Sequence, residues 1–545
     1  MDFNLARVHD AIAEAIPARE SLVFRDRRLT FGALNERSRR LANYLLARGI
    51  VEPRERSELE PHESGQDHLA LYLYNGNEYV EGMLGAFMAR AAPVNVNYRY
   101  VEAELVHLLR DSSARAILYH AAFAPRLAAI RRELPGLEIL IQVADRSGNE
   151  LLPGAIDYEE ALAAASPERP DVEWSPDDLY ILYTGGTTGL PKGVLWRQGD
   201  VFPAAMGGGK LDGSEKASID EIVSGAREGG ALRLLITPPL MHGAAQWSAL
   251  GALASGHRVI FQGDPSRFDP DDVLSTAERE AVTMLVIVGD AFARPLMDQL
   301  SRKQYDLAAL SIVGSGGAPL STAHKEEIVE RLPHVTVLDA IGSSETGGQG
   351  TSYTTRGARA STGSFVPVRN TQVLSEKLDR ALGPDERELG WFAQTGRVPL
   401  GYLGDPAKTA RTFPVLDGRR WSVPGDRARY APNGVIEVLG RDSVTINSGG
   451  EKIFAEEVEH ALKLHPAVFD AVVCGRPSQR WGEEVVAIVR LREGRAAREE
   501  DLLDSCRKHI SGFKLPKAFL FEEEIVRSPS GKPDYRWARA RVSGG

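Results

Sequence analysis

The chain has 545 residues, of which 43% are hydrophobic and 26% are charged, and its formal net charge is −10. This length is too great for one ordinary core, so two or more globular domains are expected. The acidic charge argues against a general nucleic-acid binder, which needs a dense basic face. The two cysteines, Cys474 and Cys506, are not in a metal-type spacing. They predict packing residues in a reducing compartment, the cytoplasm.

The N-terminal segment predicts an amphipathic surface helix and not a signal peptide. Apolar residues recur at helical spacing over residues 5–16, with charged residues between them. The most apolar long stretch, residues 79–97, is interrupted by Glu81, Arg90 and Pro93. We therefore expect no transmembrane helix and no integral membrane association.

Further along the chain, apolar and β-branched runs alternate with helical patterns. Three strand-like runs, each followed by turn residues, lie at 179–183, 233–237 and 283–288. A strand-like run at 310–313 is followed by a helical stretch at 323–332 and a second strand-like run at 334–338. This order is a β–α–β unit, which predicts a parallel sheet with ligands bound at the C-terminal ends of its strands.

Two segments predict loops instead of core elements. Residues 203–230 are rich in glycine and charge with little periodicity, which favours a mobile excursion. Residues 435–454 have a composition that favours a hinge and a loop. A compact α+β pattern then predicts a small C-terminal domain from about residue 443. Its runs lie at 456–464, 467–474, 485–491, 499–509 and 518–521.

The strand-like run at 179–183 leads into a turn rich in glycine and threonine. Glycines let backbone N–H groups approach a polyphosphate closely, threonines add hydroxyl donors, and a lysine adds positive charge. The residues concerned are Thr184, Gly185, Gly186, Thr187, Thr188, Gly189 and Lys192. This turn is not a Walker A loop, because Pro191 precedes the lysine and Gly193 follows it. We interpret it as a phosphate-binding loop, with a polar surface turn as the alternative.

Six further short motifs follow in order. They are Gly316-Gly317-Ala318-Pro319, Gly342-Ser343-Ser344-Glu345-Thr346, Gly401-Tyr402, Gly425-Asp426, Gly440-Arg441-Asp442 and Gly531-Lys532. With the threonine-rich loop, this set resembles the signatures of the adenylate-forming superfamily, which includes acyl-CoA synthetases, luciferases and peptide-synthetase adenylation domains. The resemblance implies an α/β fold with a large N-terminal domain of parallel-rich sheets and helices, residues 1–441. A small mobile α+β lid domain, residues 442–545, would be hinged at Asp442.

The resemblance also implies roles for individual residues in an enzyme that uses ATP and Mg²⁺. Lys532 would offset the negative charge between a substrate carboxylate and the α-phosphate. Glu345 and Thr184 would hold Mg²⁺, and Asp426 and Arg441 would contact the ribose. Further nucleotide contacts are expected, besides the phosphate loop, from Gly316, Gly317, Ala318, Asp339, Ile341, Gly342, Ser343 and Ser344.

Ser344 and His242 complete the predicted catalytic set. Ser344 replaces the family's usual threonine and keeps its hydroxyl, whereas His242 would border the acid pocket and hydrogen-bond the carboxylate. A satisfied buried histidine is the alternative for His242. Ile341 stands where the family often has a tyrosine that stacks on adenine, so only aliphatic packing is available there.

The same resemblance implies that coenzyme A accepts the acyl group. The lid would rotate about Asp442, withdraw Lys532 and bring residues 447–452 to the site. Ser448, Gly449 and Gly450 would leave space for the pantetheine arm. No carrier domain is expected after Lys532, which disfavours a peptide-synthetase module.

The acid itself is predicted from the small residues 243–245, which leave room for a bulky or long apolar acid. We predict a medium- to long-chain fatty acid, followed by a steroid side-chain acid or an aryl acid. A carrier protein or oxygen could replace coenzyme A as the acceptor, and a protein that binds nucleotide without turnover is a further hypothesis. The loop spacing disfavours a kinase or NTPase. A homodimer is expected from the family alone.

Overall fold

The computed structural model describes residues 3–51, 53–184, 190–210, 213–368, 370–448, 451–478, 481–527 and 531–543. Among these residues, no helix is both long and apolar enough to cross a bilayer. Side-chain caps begin several of the helices, as where Asn4 accepts a hydrogen bond from the Arg7 amide and Thr30 from the Ala33 amide.

The helices are α1 (Leu5–Ala15), α2 (Phe31–Ala47), α3 (Asn77–Met88), α4 (Glu102–Asp111), α5 (Ala124–Ile130), α6 (Tyr158–Ala163), α7 (Gln198–Ala205), α8 (Ile219–Glu228), α9 (Gly243–Leu253), α10 (Pro270–Arg279), α11 (Gly289–Arg302), α12 (Thr322–Arg331), α13 (Pro406–Thr412), α14 (Ala455–Lys463), α15 (Glu499–Arg507) and α16 (Tyr535–Ser543).

The strands are β1 (Glu20–Phe24), β2 (Arg27–Thr30), β3 (His68–Tyr72), β4 (Ala92–Asn95), β5 (Ala114–His120), β6 (Ile139–Val143), β7 (Ala155–Asp157), β8 (Leu179–Thr184), β9 (Lys192–Arg197), β10 (Arg233–Ile236), β11 (Arg258–Phe261), β12 (Met284–Ile287), β13 (Ile312–Gly316), β14 (Thr336–Ser343), β15 (Gly347–Thr354), β16 (Ser364–Pro367), β17 (Thr371–Leu374), β18 (Gly390–Thr395), β19 (Gly401–Tyr402), β20 (Val415–Leu416), β21 (Arg419–Ser422), β22 (Asp426–Tyr430), β23 (Ile436–Arg441), β24 (Thr445–Ser448), β25 (Glu451–Phe454), β26 (Val468–Ser478), β27 (Gly482–Leu491) and β28 (Ala518–Phe521).

Within the described residues, these strands form three sheets. The first has eight strands in the order β19-β9-β8-β4-β3-β5-β6-β7, and every pair from β8–β4 through to β6–β7 is parallel. The second, of fifteen strands, is parallel from β1 through β11, β10, β12 and β13 to β14 and becomes antiparallel from β15 onward. All five residues of β3 are buried, as expected for a parallel strand covered on both faces.

The third sheet, of five strands, contains β24 to β28 and belongs to the C-terminal part of the chain. Its hydrophobic core consists of residues between Val444 and Val542. We call residues 442–543 the small unit and the preceding residues the large unit. The predicted fold class, α/β with a small C-terminal α+β part, is confirmed, whereas the boundary at residue 442 and the mobility of the lid stay predictions.

Three expectations about local structure were wrong. Residues 219–228 are not an excursion but helix α8, whose Ser218 cap accepts from the Glu221 amide and whose Ile222 and Ala226 are buried. The segment 435–454 contains strands β23, β24 and β25, because each finds a partner strand that local composition does not reveal. Helix α1 is buried over most of its length, since it packs against α2, α3, α7 and α8.

Candidate active site

The phosphate loop begins where β8 ends. Thr184 is the last residue of β8, and Lys192 lies opposite it as the first residue of antiparallel β9. The side-chain amine of Lys192 donates to the carboxylate of Asp405, which also caps helix α13. This amine holds the pKa of Asp405 below its ordinary value. The predicted contacts Gly185, Gly186, Thr187, Thr188 and Gly189 lie outside the described residues.

Glu345 lies buried in the turn between β14 and β15. Its Oε1 accepts a hydrogen bond from the Tyr402 hydroxyl at 2.7 Å, and its carbonyl oxygen accepts one from Ser422 Oγ at 2.6 Å. The neighbouring Ser344 carbonyl accepts from Trp196 Nε1 at 2.8 Å. Tyr402 therefore holds the carboxylate itself, whereas Ser422 and Trp196 hold the backbone of the turn that carries it.

The oxygen donors of Glu345 and Thr184 suit an Mg²⁺ ion that is bound mainly through ATP. Glu345 and the Thr184 hydroxyl offer the hard oxygen ligands that Mg²⁺ prefers. No group of three or more His, Cys, Asp or Glu side chains able to hold a metal is found in the part of the chain that the structure describes. Because two protein ligands leave most positions around Mg²⁺ open, phosphate oxygens of ATP would fill some of them.

The ends of β13 and β14 form the predicted adenine side. Gly317, beside Gly316 and Ala318, has a left-handed φ of +84° that favours glycine. A Cβ on Gly342 would overlap the Gly347 carbonyl oxygen across the β14–β15 pair, so only glycine fits. Ile341 packs against a small apolar cluster that contains Phe392 and Ile436.

Two other predicted nucleotide contacts in β14 are engaged within the protein. Asp339 forms a buried ion pair with Lys325 Nζ at 2.7 Å, and burial raises the pKa of this carboxyl. Ser343 donates its backbone N–H to Thr346 Oγ1 at 3.0 Å. The contacts of both residues with a nucleotide stay predictions. The buried ion pair of Asp339 favours a structural role, in which the residue holds β14 in place.

Asp426 and Arg441 face each other across the β22–β23 pair. Arg441 Nε lies 3.3 Å from Asp426 Oδ1, and this carboxylate is the leading cause that raises the pKa of Arg441. The pair places an acceptor and a donor side by side, which suits ribose hydroxyls. Of the three residues predicted to leave space for the pantetheine arm, Ser448 is the last residue of β24. Gly449 and Gly450 lie outside the described residues.

The small unit brings Lys532 to this site. Loss of hydration, followed by the charge of Arg441, lowers the pKa of Lys532, while Glu345 and Asp426 oppose that effect. The lysine keeps an exposed surface, so water screens part of these interactions. Gly531 has a φ of +74°, and a Cβ there would lie 3.1 Å from Ala291 of α11. A close approach of the two units therefore places the lysine.

His242 directly precedes helix α9 and lies near enough to Lys532 for the charge of the lysine to act on it. Among the described residues, its buried Nε2 has no hydrogen-bond partner. Burial, then the charges of Lys532 and Arg99, lower the pKa of His242 to about 3. The imidazole is therefore neutral near pH 7 and has a nitrogen available to a substrate. The role of His242 toward the carboxylate, and the alternative of a structural buried histidine, both stay predictions.

Some residues that shape the site were missed in the sequence. Asn95 donates to the carbonyl oxygens of Tyr183 and Met241 at 2.8 and 2.6 Å, and so connects the phosphate loop with the His242 segment. Asp405 and Ser422 support Lys192 and Glu345 through the contacts given above. A single asparagine in an apolar strand gives no local signal, because its role depends on neighbours far away in sequence.

The chain resembles known proteins over its whole length. The model of the family described as AMP-binding enzyme matches residues 10–390, and that of the AMP-binding enzyme C-terminal domain matches residues 457–532. The chain is 54% identical to medium-chain acyl-CoA ligase Mig of Mycobacterium avium, over 100% of this chain and 99% of the relative. It is 40% identical to 3-oxocholest-4-en-26-oate–CoA ligase of Rhodococcus rhodochrous, over 99% and 96% of the two chains.

Solved structures share the fold. The anthranilate CoA ligase AuaEII in complex with anthranoyl-AMP has a TM-score of 0.82 at 20% identity and covers 99% of this chain and 98% of its own. ATP-bound MatB from Rhodopseudomonas palustris has a TM-score of 0.81 at 22% identity, over 99% of both chains. The family matches and the relatives together identify an adenylate-forming enzyme, as the sequence predicted. The chain belongs to the family of AMP-binding enzymes.

Proposed function

We propose that the chain is an ATP-dependent, AMP-forming acid–CoA ligase that activates medium-chain fatty acids. The observation that carries the proposal is the proximity of Lys532 to Arg441, Glu345 and Asp426, whose charges all act on the lysine, with Arg441 Nε 3.3 Å from Asp426 Oδ1. The 54% identity with a medium-chain acyl-CoA ligase over the full chain supports both the reaction and the acid class.

In the first step, a carboxylate oxygen attacks the α-phosphorus of ATP and pyrophosphate leaves. Both reactants are anionic, so the site must position them and offset their charge. Lys192 and Lys532 supply cations on two sides, and Asp426 with Arg441 orients the ribose. Mg²⁺, held by Glu345 and Thr184, would neutralise charge on the phosphates. Neutral His242 donates a hydrogen bond to the carboxylate without competing for a proton.

In the second step, the thiol of coenzyme A attacks the acyl carbonyl of the adenylate and AMP leaves. The thiol has to reach an intermediate that water would otherwise hydrolyse. The site must therefore exclude water until coenzyme A has reacted. Rotation of the small unit about Asp442 would withdraw Lys532 and bring residues 447–452, with Ser448, to the site. We place this chemistry in the cytoplasm, and propose a homodimer on the family resemblance alone.

Apolar side chains surround the residues next to His242. A Cβ on Gly243 would lie 2.6 Å from Leu182 Cδ2 and 3.3 Å from Trp247 Cζ2, so these side chains already fill the space beside the glycine. Their aliphatic and aromatic character favours a hydrocarbon chain over a charged substituent. A steroid side-chain acid is the second candidate, because a relative at 40% identity is a 3-oxocholest-4-en-26-oate–CoA ligase.

The test is a panel of acids incubated with ATP, Mg²⁺ and coenzyme A, with AMP and the acyl thioester measured by mass. Straight-chain acids of medium length should give the highest kcat/KM, ahead of steroid and aryl acids. AMP formation without thioester would contradict coenzyme A as the acceptor. A higher kcat/KM for the steroid acid would contradict the fatty-acid assignment and support the second candidate.

A further inference from the structure

Helix α11 of the large unit contacts the small unit through one aromatic ring. The guanidinium carbon of Arg294 lies 4.1 Å from the centroid of the Phe469 ring. Arg490, in β27 of the small unit, contacts the same ring at 4.4 Å. We call these three side chains the Phe469 stack. It connects the units close to Gly531, which approaches Ala291 one turn earlier in α11.

The ring contact adds to the stabilisation of a buried guanidinium at Arg294. The residue is only 6% exposed, and its Nε has no hydrogen-bond partner among the described residues. Burial lowers the pKa of Arg294, while Asp470 and Asp290 oppose that shift. Because a guanidinium shielded from water interacts more strongly with an aromatic face, the ring contact is worth more here than on an open surface.

The stack is joined to the catalytic lysine by consecutive contacts. Asp470, next to Phe469 in β26, accepts two hydrogen bonds from Arg527, each 2.7 Å long. Arg527 also donates Nη1 to the Gly531 carbonyl oxygen at 2.8 Å, one residue before Lys532. Although burial alone would raise the pKa of Asp470, Lys463 and Arg527 lower it to about 2, so the carboxylate stays charged.

We propose that Arg294 is a positioning residue that holds the small unit in the orientation that forms the adenylate. Through Phe469 it fixes β26, and through Asp470 and Arg527 it fixes Gly531, the residue before Lys532. Because the contact joins the two units, a rotation of the small unit about Asp442 would break it, so the contact favours the orientation of the first step. The inference rests on the proposed two-step ligase reaction and identifies a group that controls one of its steps.

The test separates the two steps in purified full-length variants. Arg294→Met and Phe469→Leu should each lower ATP–pyrophosphate exchange about 10-fold, because a desolvated cation–π contact is lost. Thioester formation from supplied acyl-adenylate and coenzyme A should stay at the wild-type rate or rise. Arg302→Met, which changes an exposed arginine at the end of the same helix, should leave both steps unchanged.

Conservative variants guard against an effect on folding. Arg294→Lys and Phe469→Tyr keep a cation and a ring, so they should recover most of the exchange activity. Equal loss of both steps, or wild-type exchange in Arg294→Met, would overturn the proposal. If wild-type protein forms adenylate but no thioester, the proposed acceptor fails, whereas the exchange assay still tests the stack.

Discussion

At the scale of single residues, short sequence motifs indicated charged groups that lie close together in the structure, but not the residues that support them. The charges of Arg441, Glu345 and Asp426 all act on Lys532. Their supports, such as Tyr402 at 2.7 Å from Glu345, depend on contacts between residues far apart in the chain. Local patterns identify chemically distinctive residues but not the neighbours that orient them.

Removal of the Lys532 ammonium should separate the two chemical steps. We expect Lys532→Ala to lower ATP–pyrophosphate exchange by about 100-fold or more, since one well-placed cation or donor accounts for such factors in a polar transition state. Thioester formation from supplied acyl-adenylate should change little. Equal loss in the two assays would show that Lys532 does not act in the first step alone.

Glu345 should set the Mg²⁺ requirement. Glu345→Gln keeps the shape of the side chain but removes the charge, so the Mg²⁺ concentration for half-maximal exchange should rise. Tyr402→Phe keeps the carboxylate and removes one supporting hydrogen bond. The exchange activity should then fall by about 10-fold, the lower end of the effect that such a supporting contact has on a metal site. The titration contradicts a metal role if Glu345→Gln lowers activity without any change in Mg²⁺ dependence.

Glu456, in the first turn of α14, should make stability pH-dependent. Burial, then Glu459 and Asp426, raise the pKa of Glu456 to about 8, against Arg441 and Lys532. The folded carboxyl thus binds its proton more tightly than the unfolded one, so its contribution to stability is lost as pH rises from about 5 to 8. Over that range, the Tm of Glu456→Gln should rise relative to wild type, then stay level above pH 8. A constant difference in Tm would contradict this pKa.

At the scale of elements, the parallel unit around residues 310–338 was predicted with small errors in its bounds. Strand β13 continues through Gly314 to Gly316 because β12 and β14 pair with it on both sides. Helix α8 was missed because glycine and charge around it hide its short apolar face. Hydrophobic periodicity in the sequence therefore predicted the long elements. The bounds of the short strands depend on which partner strands lie beside them.

The β14–β15 pair offers an element-level test with a matched control. Gly342→Ala should destabilise the protein by about 1–3 kcal/mol and weaken activity, because its Cβ overlaps the Gly347 carbonyl and displaces the Glu345 turn. Gly348→Ala, whose Cβ would lie 3.9 Å from the Ala204 carbonyl oxygen, should be tolerated. Thermal unfolding and exchange assays compare the two, and equal behaviour would refute the steric argument.

At the scale of the whole molecule, the two units differ in how they could be anticipated. The ordered motifs implied a large unit and a lid, and the family matches at 10–390 and 457–532 fall on either side of the β23–β24 segment. The contacts between the units, such as Arg294 on Phe469, could not be predicted. These contacts depend on how the two units are oriented, and hydrophobic periodicity in the sequence carries no information about that orientation.

Both cysteines of the chain lie in the core of the small unit. Burial raises the pKa of the Cys474 thiol to about 12 and that of Cys506 to about 11, so neither is reactive near neutral pH. A thiol-specific dye would therefore attach only when this unit opens. The rate of labelling would measure how often the small unit opens, separately from the large unit, without any engineered probe.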